Sequence, residues 1–236
     1  AAEGFRYSTD AGNELDFTML VAPADRLYEE IDRPRVLEGR MPADDVPPRG
    51  IALVAHPHPL YGGSIDNKVA QTLARAFVAL GYVAVRFNFR GVGASEGTHD
   101  DGRGEVDDMD FMFAHMRKRY PGLPVALAGF SFGTFVQGQL QQRLIARGEP
   151  AERLVLVGTA AGKWPMPTVP PDTILIHGEL DDTITLTQLF NWARPQDIPV
   201  IVIPGADHFF HRKLGHIKNL VIQLWRHDSE NEPKSI

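Results

Sequence analysis

From residue 50 onward the chain alternates between two periods. Apolar, β-branched runs six to eight residues long are separated by longer stretches in which apolar residues recur every three to four positions: GIALVAH (50–56), YVAVRFNF (82–89), PVALAGF (124–130), RLVLVG (153–158), TILIHG (173–178) and PVIVIPG (199–205). Strands alternating with helices predict βαβ units and a parallel sheet. Several runs are apolar on both faces, as central strands covered by helices on both sides must be.

Between the runs lie helix patterns. Residues 66–80 place Val69, Ala70, Leu73, Ala74, Phe77 and Val78 on one face and stop at Gly81, a helix-ending residue. Residues 105–120 open with acids and close on Arg117, Lys118 and Arg119, charges suited to the positive and negative ends of a helix. A last helix over about 211–227 carries Leu214, Ile217, Leu220, Val221, Leu224 and Trp225 on one stripe. Before residue 50 the pattern changes: ELDFTMLVAP (14–23) and RPRVLEGR (33–40) read as antiparallel strands extending one sheet edge, joined by proline-rich connections. Residues 1–228 are expected to form a single domain and 229–236 a polar tail.

Composition narrows the function classes. A net charge of -6 without a basic block argues against nucleic acid or an acidic membrane surface as partner. The absence of cysteine removes disulfides, thiolate nucleophiles and Cys-based zinc sites, so covalent catalysis needs another side chain. No apolar run approaches the roughly 20 residues that span a bilayer, and the first residues have no signal-peptide hydrophobic region. The expected compartment is the cytoplasm, with a removed leader left open because the chain does not begin with methionine.

The candidate chemistry lies between the strand PVALAGF and the helical run that follows it. Gly129-Phe130-Ser131-Phe132-Gly133 is a G-x-S-x-G motif in strand-to-helix context. Small residues two before and two after the serine are needed where strand and helix crowd the turn, which lifts the Ser131 hydroxyl above the sheet and aims the Phe132 amide at an incoming oxygen. A serine hydroxyl needs a base, and the base an orienting acid. Sites of parallel sheets form at the carboxyl ends of the strands. There the chain supplies Glu179-Leu180-Asp181-Asp182 after one late strand and Asp207-His208-Phe209-Phe210 after the next. His208 is the expected base and Asp181 the expected acid, with Asp182 as its rival and a helix N-cap as the alternative use of these carboxylates.

HPHPLYGGSIDNKV (56–69), RFNFRGVGASEG (86–97), GFSFG (129–133), IHGELDD (176–182) and IPGADHFFH (203–211) together resemble the small bacterial α/β-superfamily hydrolases without a large cap domain. The resemblance implies an α/β-hydrolase fold: a mostly parallel central sheet with antiparallel N-terminal edge strands, helices on both faces and no large cap. It also implies a Ser131–Asp181–His208 triad acting on an ester or similar acyl bond through an acyl-enzyme, with no cofactor. The expected substrate is a small ester with a short or medium acyl chain. A thioesterase or peptidase on the same triad is the alternative, and a non-catalytic binding protein of the same fold a more distant one. The segment where relatives insert a lid, residues 159–172, is too short for a helical lid, so an open site is expected, with Tyr61, Phe130 and Trp164 as substrate-binding residues and Met166 as a further wall candidate.

Two other motifs compete. RGVGASEG follows a strand, but its glycines at 91, 93 and 97 miss the dinucleotide spacing and no helix follows at once; it reads as a loop anchored by Arg90. His56 and His58 suggest a metal site, yet Pro57 and Pro59 stiffen the segment and no metal motif surrounds it, so no metal is expected. In the resembled family the second oxyanion donor comes from this loop. Prolines cannot donate, which leaves the amide of His58, or else of Leu60 or Tyr61, with the Tyr61 hydroxyl as a further candidate. Monomer and homodimer are both compatible with an exposed edge strand.

Overall fold

Alternation along the strands decides which layer each side chain enters. The structure, a computed structural model, describes residues 5–8, 14–20 and 47–230. Eight strands form one sheet: β1 (Phe5–Ser8), β2 (Glu14–Leu20), β3 (Gly50–Ala55), β4 (Tyr82–Phe87), β5 (Val125–Phe130), β6 (Arg153–Val157), β7 (Ile174–Gly178) and β8 (Val200–Ile203). Their spatial order is β1-β2-β4-β3-β5-β6-β7-β8. From β4 to β8 every pairing is parallel, while β2 pairs antiparallel with β1 and β4. The six expected parallel strands are all present, each shorter than its apolar run by one to three residues. The antiparallel edge is also present, but its outer strand is Phe5–Ser8, whose alternation of Phe5 and Tyr7 with Arg6 and Ser8 is only four residues long; RPRVLEGR lies outside the described residues.

The helices are α1 (Lys68–Ala79), α2 (Arg103–Arg119), α3 (Phe132–Ala146), α4 (Leu186–Ala193) and α5 (Leu214–Glu230). α5 runs through Ser229 and Glu230, the first residues of the expected tail, and the rest of that tail lies outside the described residues. On one face of the sheet, Ile51, Leu53, Val85, Leu127 and Leu156 meet Met109, Met112, Val136 and Leu140 of α2 and α3. On the other, Ala52, Ala84, Ala126 and Ala128 meet Leu73 and Phe77 of α1 and Val221 and Trp225 of α5. Alanine on this second face lets the large helix side chains approach the strands closely. Each large side chain so buried contributes about 1.5–3 kcal/mol.

The parallel pairing delivers the carboxyl ends of β3, β5, β7 and β8 to one rim. Because β4 and β5 flank β3 on opposite sides, the strand order reverses there, and the crevice beyond β3 and β5 is where such sheets bind ligands.

Candidate active site

Ser131 joins β5 to α3 with φ 54° and ψ -122°, a conformation that costs energy for a residue with a Cβ and persists only where its surroundings hold it. Here the Ser131 amide donates to the Val157 carbonyl at 3.0 Å, while its own carbonyl accepts the Thr134 amide and hydroxyl. The two glycines are steric requirements. A Cβ on Gly129 would stand 2.5 Å from the Gly133 carbonyl oxygen, and one on Gly133 would stand 2.5 Å from that of Ala55.

The loops after β7 and β8 are tied together. Leu180 donates its amide to the Ala206 carbonyl at 2.8 Å, and the Gly205 amide donates to the Glu179 carboxylate at 2.7 Å. Glu179 is thereby a loop tie, and Asp182 is exposed. Asp181 is buried and serves two neighbourhoods. One oxygen accepts the amides of Thr183 and Ile184 at 3.0 and 2.8 Å, while the other lies 2.7 Å from His208 Nδ1. His208 Nε2 is 3.0 Å from Ser131 Oγ. A proton on Nδ1, shared with the carboxylate, leaves the Nε2 lone pair toward the serine hydroxyl. The three residues singled out in the sequence thus form one continuous hydrogen-bonded chain.

His177, on β7, escaped the sequence reading. Fully buried, it donates from Nε2 to the Ile184 carbonyl at 2.8 Å and stands 3.4 Å from the Asp181 carboxylate. Burial, the larger cause, holds its imidazole below the ordinary value, so it is a neutral brace for the acid loop. An apolar strand with a polar residue one step from its end was the available signal.

The HPHP loop resolves into distinct roles. His56 is buried: its Nδ1 lies 2.7 Å from the Pro57 carbonyl and its Nε2 accepts the Phe89 amide at 3.0 Å, so it bridges the ends of β3 and β4. Burial pushes its imidazole down to about 4. His58 accepts the Leu60 amide on Nδ1 at 3.2 Å and the Tyr61 and Gly63 amides on its carbonyl. Burial, then the neighbouring His99, lowers its imidazole as well. The Leu60 and Tyr61 amides are therefore spent within the turn, which removes them as alternative oxyanion donors. The amides of His58 and Phe132 make no hydrogen bond to another described residue.

A cavity of about 600 Å³ opens in front of Ser131 and His208, with Tyr61, Phe132 and Trp164 in its wall. The Trp164 ring packs against Phe132 at 4.8 Å and Phe135 at 5.2 Å between centroids. Phe130 corrects the expectation that it binds substrate. As the last residue of β5, its side chain turns into the layer of α1 and α5, fully buried against His208 and Phe210. Met166 likewise packs against the core and lies outside the lining. The RGVGASEG loop is anchored as expected: Arg90 meets the buried Asp108 at 2.6 Å and donates its amide to it as well. Missed from the sequence were Asn67, Lys163, Thr183 and Phe209 in the cavity wall. Only Asn67 had a signal, its place before the apolar period of α1, and its side chain indeed caps that helix.

Three comparisons bear on this site. The model of a family described as serine aminopeptidase, S33, matches residues 60–196. An uncharacterized protein of Rickettsia prowazekii is 32% identical over 224 residues, covering 84% of this chain and 91% of its own. The lysophosphatidylserine lipase ABHD12 of Danio rerio is 36% identical over 91 residues, 39% of this chain and 23% of that protein. Among solved structures, an α/β serine hydrolase without lid from Xanthomonas campestris aligns with a TM-score of 0.80 and 29% identity, over 96% of this chain and 94% of that one.

Proposed function

This chain belongs to the α/β-hydrolase superfamily, in the family described as serine aminopeptidase, S33, and on that premise we propose that it is a serine hydrolase cleaving carboxylic esters of short or medium acyl chains. The observation that carries the reading is the hydrogen-bonded chain Ser131–His208–Asp181, with contacts of 3.0 and 2.7 Å, at the mouth of a cavity.

In this reading His208 Nε2 takes the Ser131 proton as Oγ attacks the ester carbonyl. Asp181 fixes the tautomer and stabilises the imidazolium that forms. Charge developing on the carbonyl oxygen is met by the amides of Phe132 and His58, residues that line the cavity and whose amides are not engaged by another described residue. The imidazolium then protonates the departing alcohol. Water, deprotonated by the same nitrogen, releases the acid from Ser131.

The family description raises peptidase action as a second reading. An aminopeptidase must hold a substrate α-ammonium, and the described cavity lining contains no Asp or Glu to do so, which favours esters. Labelling with a fluorophosphonate, alongside a panel of p-nitrophenyl esters, acyl thioesters and aminoacyl amides, tests the proposal. Ser131 is expected to carry the adduct, esters to turn over fastest, and Ser131→Ala to lower turnover by about three orders of magnitude or more. Undiminished turnover in that variant, or no adduct on Ser131, refutes it.

A further inference from the structure

The wall of the cavity is electrostatically one-sided. Among the described residues that line it there is no carboxylate, and Lys163 is the single side chain with a permanent charge, in a chain whose net charge is -6. Lys163 has no ion-pair or side-chain partner among the described residues. Its backbone is nonetheless fixed. The Lys163 and Trp164 amides both donate to the Ala160 carbonyl, at 3.2 and 3.0 Å, and the Trp164 ring is wedged beside Phe132. The ammonium is thus carried on a rigid turn at the wall, with a side chain free to meet a ligand.

The neutral polar groups point the same way. Asn67 Oδ1 is occupied by the Val69 and Ala70 amides at 3.0 and 3.1 Å, so what its side chain still offers is the NH2 group, a donor. The free His58 and Phe132 amides are donors too. Nearby acids are engaged or outside the wall. Asp181 is buried against His208 and Asp207 pairs with His211. Glu105 and Asp101, the acids whose charge reaches His58, lie 2.8 and 3.6 Å from the His99 ring and outside the lining, and Asp66 and Asp182 flank lining residues without lining the cavity themselves. A wall that carries one ammonium, several free donors and no carboxylate among its described residues recognises a ligand with an anionic oxygen group.

We infer that Lys163, with Asn67 elsewhere in the same lining, selects esters that carry an anionic oxygen group, carboxylate or phosphate, elsewhere in the molecule. This rests on the serine-hydrolase reading and adds the substrate class to it. Lys163 acts here on specificity and takes no part in bond cleavage.

The test compares kcat/KM for matched pairs that differ in that one charge. Mono-4-nitrophenyl adipate against its methyl ester places the carboxylate on the acyl side. 4-Acetoxybenzoate against its methyl ester places it on the alcohol side, and 4-acetoxyphenyl phosphate against its dimethyl ester asks for phosphate. At low ionic strength the charged member of at least one pair is expected to win by about fivefold, the upper end for an exposed charge pair, and the advantage to shrink as salt screens it. Lys163→Met should abolish the preference and Lys163→Glu reverse it, while Lys118→Met, in the last turn of α2, leaves the ratio where it was. The readout is the ratio within a pair. Ratios near one for all three pairs in the unmodified protein, or a preference untouched by both Lys163 variants, overturn the inference. A fluorophosphonate adduct on Ser131 without charge preference defeats this inference alone. Failure of both adduct and turnover defeats the serine-hydrolase reading, and this inference with it.

Discussion

Acidification should destabilise this protein through one histidine that takes no part in the proposed chemistry. His56 is buried and uses both ring nitrogens in its neutral form, Nδ1–H toward the Pro57 carbonyl and the Nε2 lone pair toward the Phe89 amide. Protonating Nε2 would set N–H against N–H at a position that bulk solvent does not reach. Burial accordingly lowers the imidazole from 6.5 to about 4 in the folded chain. Between those values the unfolded chain binds the extra proton and the folded chain does not, so stability rises with pH across that interval. The contribution is whole above pH 6.5, falls progressively below it, and is fully lost once pH has fallen through about 4. At about 1.4 kcal/mol per pH unit, the full loss is about 3 kcal/mol, and about 2 kcal/mol of it is gone by about pH 5. His177, also lowered by burial, acts in the same direction, so a comparison is needed to isolate His56. Urea unfolding of the unmodified protein and of His56→Gln, from about pH 8 to about pH 4.5, supplies it. The variant is expected to start lower and to lose about 2 kcal/mol less by about pH 5. Imidazole titration by NMR in the unmodified protein should show the Nδ1–H tautomer persisting below pH 6. Parallel stability profiles for the two proteins, or a His56 ring that titrates near 6.5, would sink the reasoning.

Further outcomes follow from named contacts. Asp181→Asn should fold, because an amide oxygen can still accept from Thr183 and Ile184, yet lose about four orders of magnitude in kcat by offering His208 the wrong partner; ester kinetics beside a thermal melt check both halves. Gly133→Ala drives a Cβ to 2.5 Å from the Ala55 carbonyl oxygen, backbone that cannot yield, and should cost about 3 kcal/mol or more in urea unfolding. Asp108→Ala leaves the Arg90 guanidinium without its buried partner and should cost about 3–5 kcal/mol by the same measurement.

The parallel strands were legible because several of them are apolar on both faces and all alternate with helical periods, and the serine turn because Gly-x-Ser-x-Gly falls where strand period gives way to helix period. The acid and base could be placed by counting strand ends. Other features depend on partners distant in sequence. That β2 pairs with β4 and not with β3 is a fact of strand order, which no local period encodes. Phe130 was expected in the substrate wall, but strand parity sends its ring into the layer of α1 and α5. His56 looked like half of a metal pair because the donor its Nε2 accepts from, the Phe89 amide, lies 33 positions away. Lys163 and Asn67 reach the cavity from loops whose convergence only the folded sheet defines.

Asp181 has a consequence for how this protein can change over generations. One of its oxygens shapes the loop after β7 and the other faces the base. Drift that shifts the acid to a neighbouring position would unravel the turn that holds it, and drift that loosens the turn would misalign His208. Selection for folding and selection for turnover therefore act on the same carboxylate. A substitution that keeps the amide-accepting oxygen can spare the fold and still cost turnover, whereas one that removes both oxygens costs both. Thr183 and Ile184, held by this carboxylate, also line the cavity, so changes in the wall there are tied to the same turn.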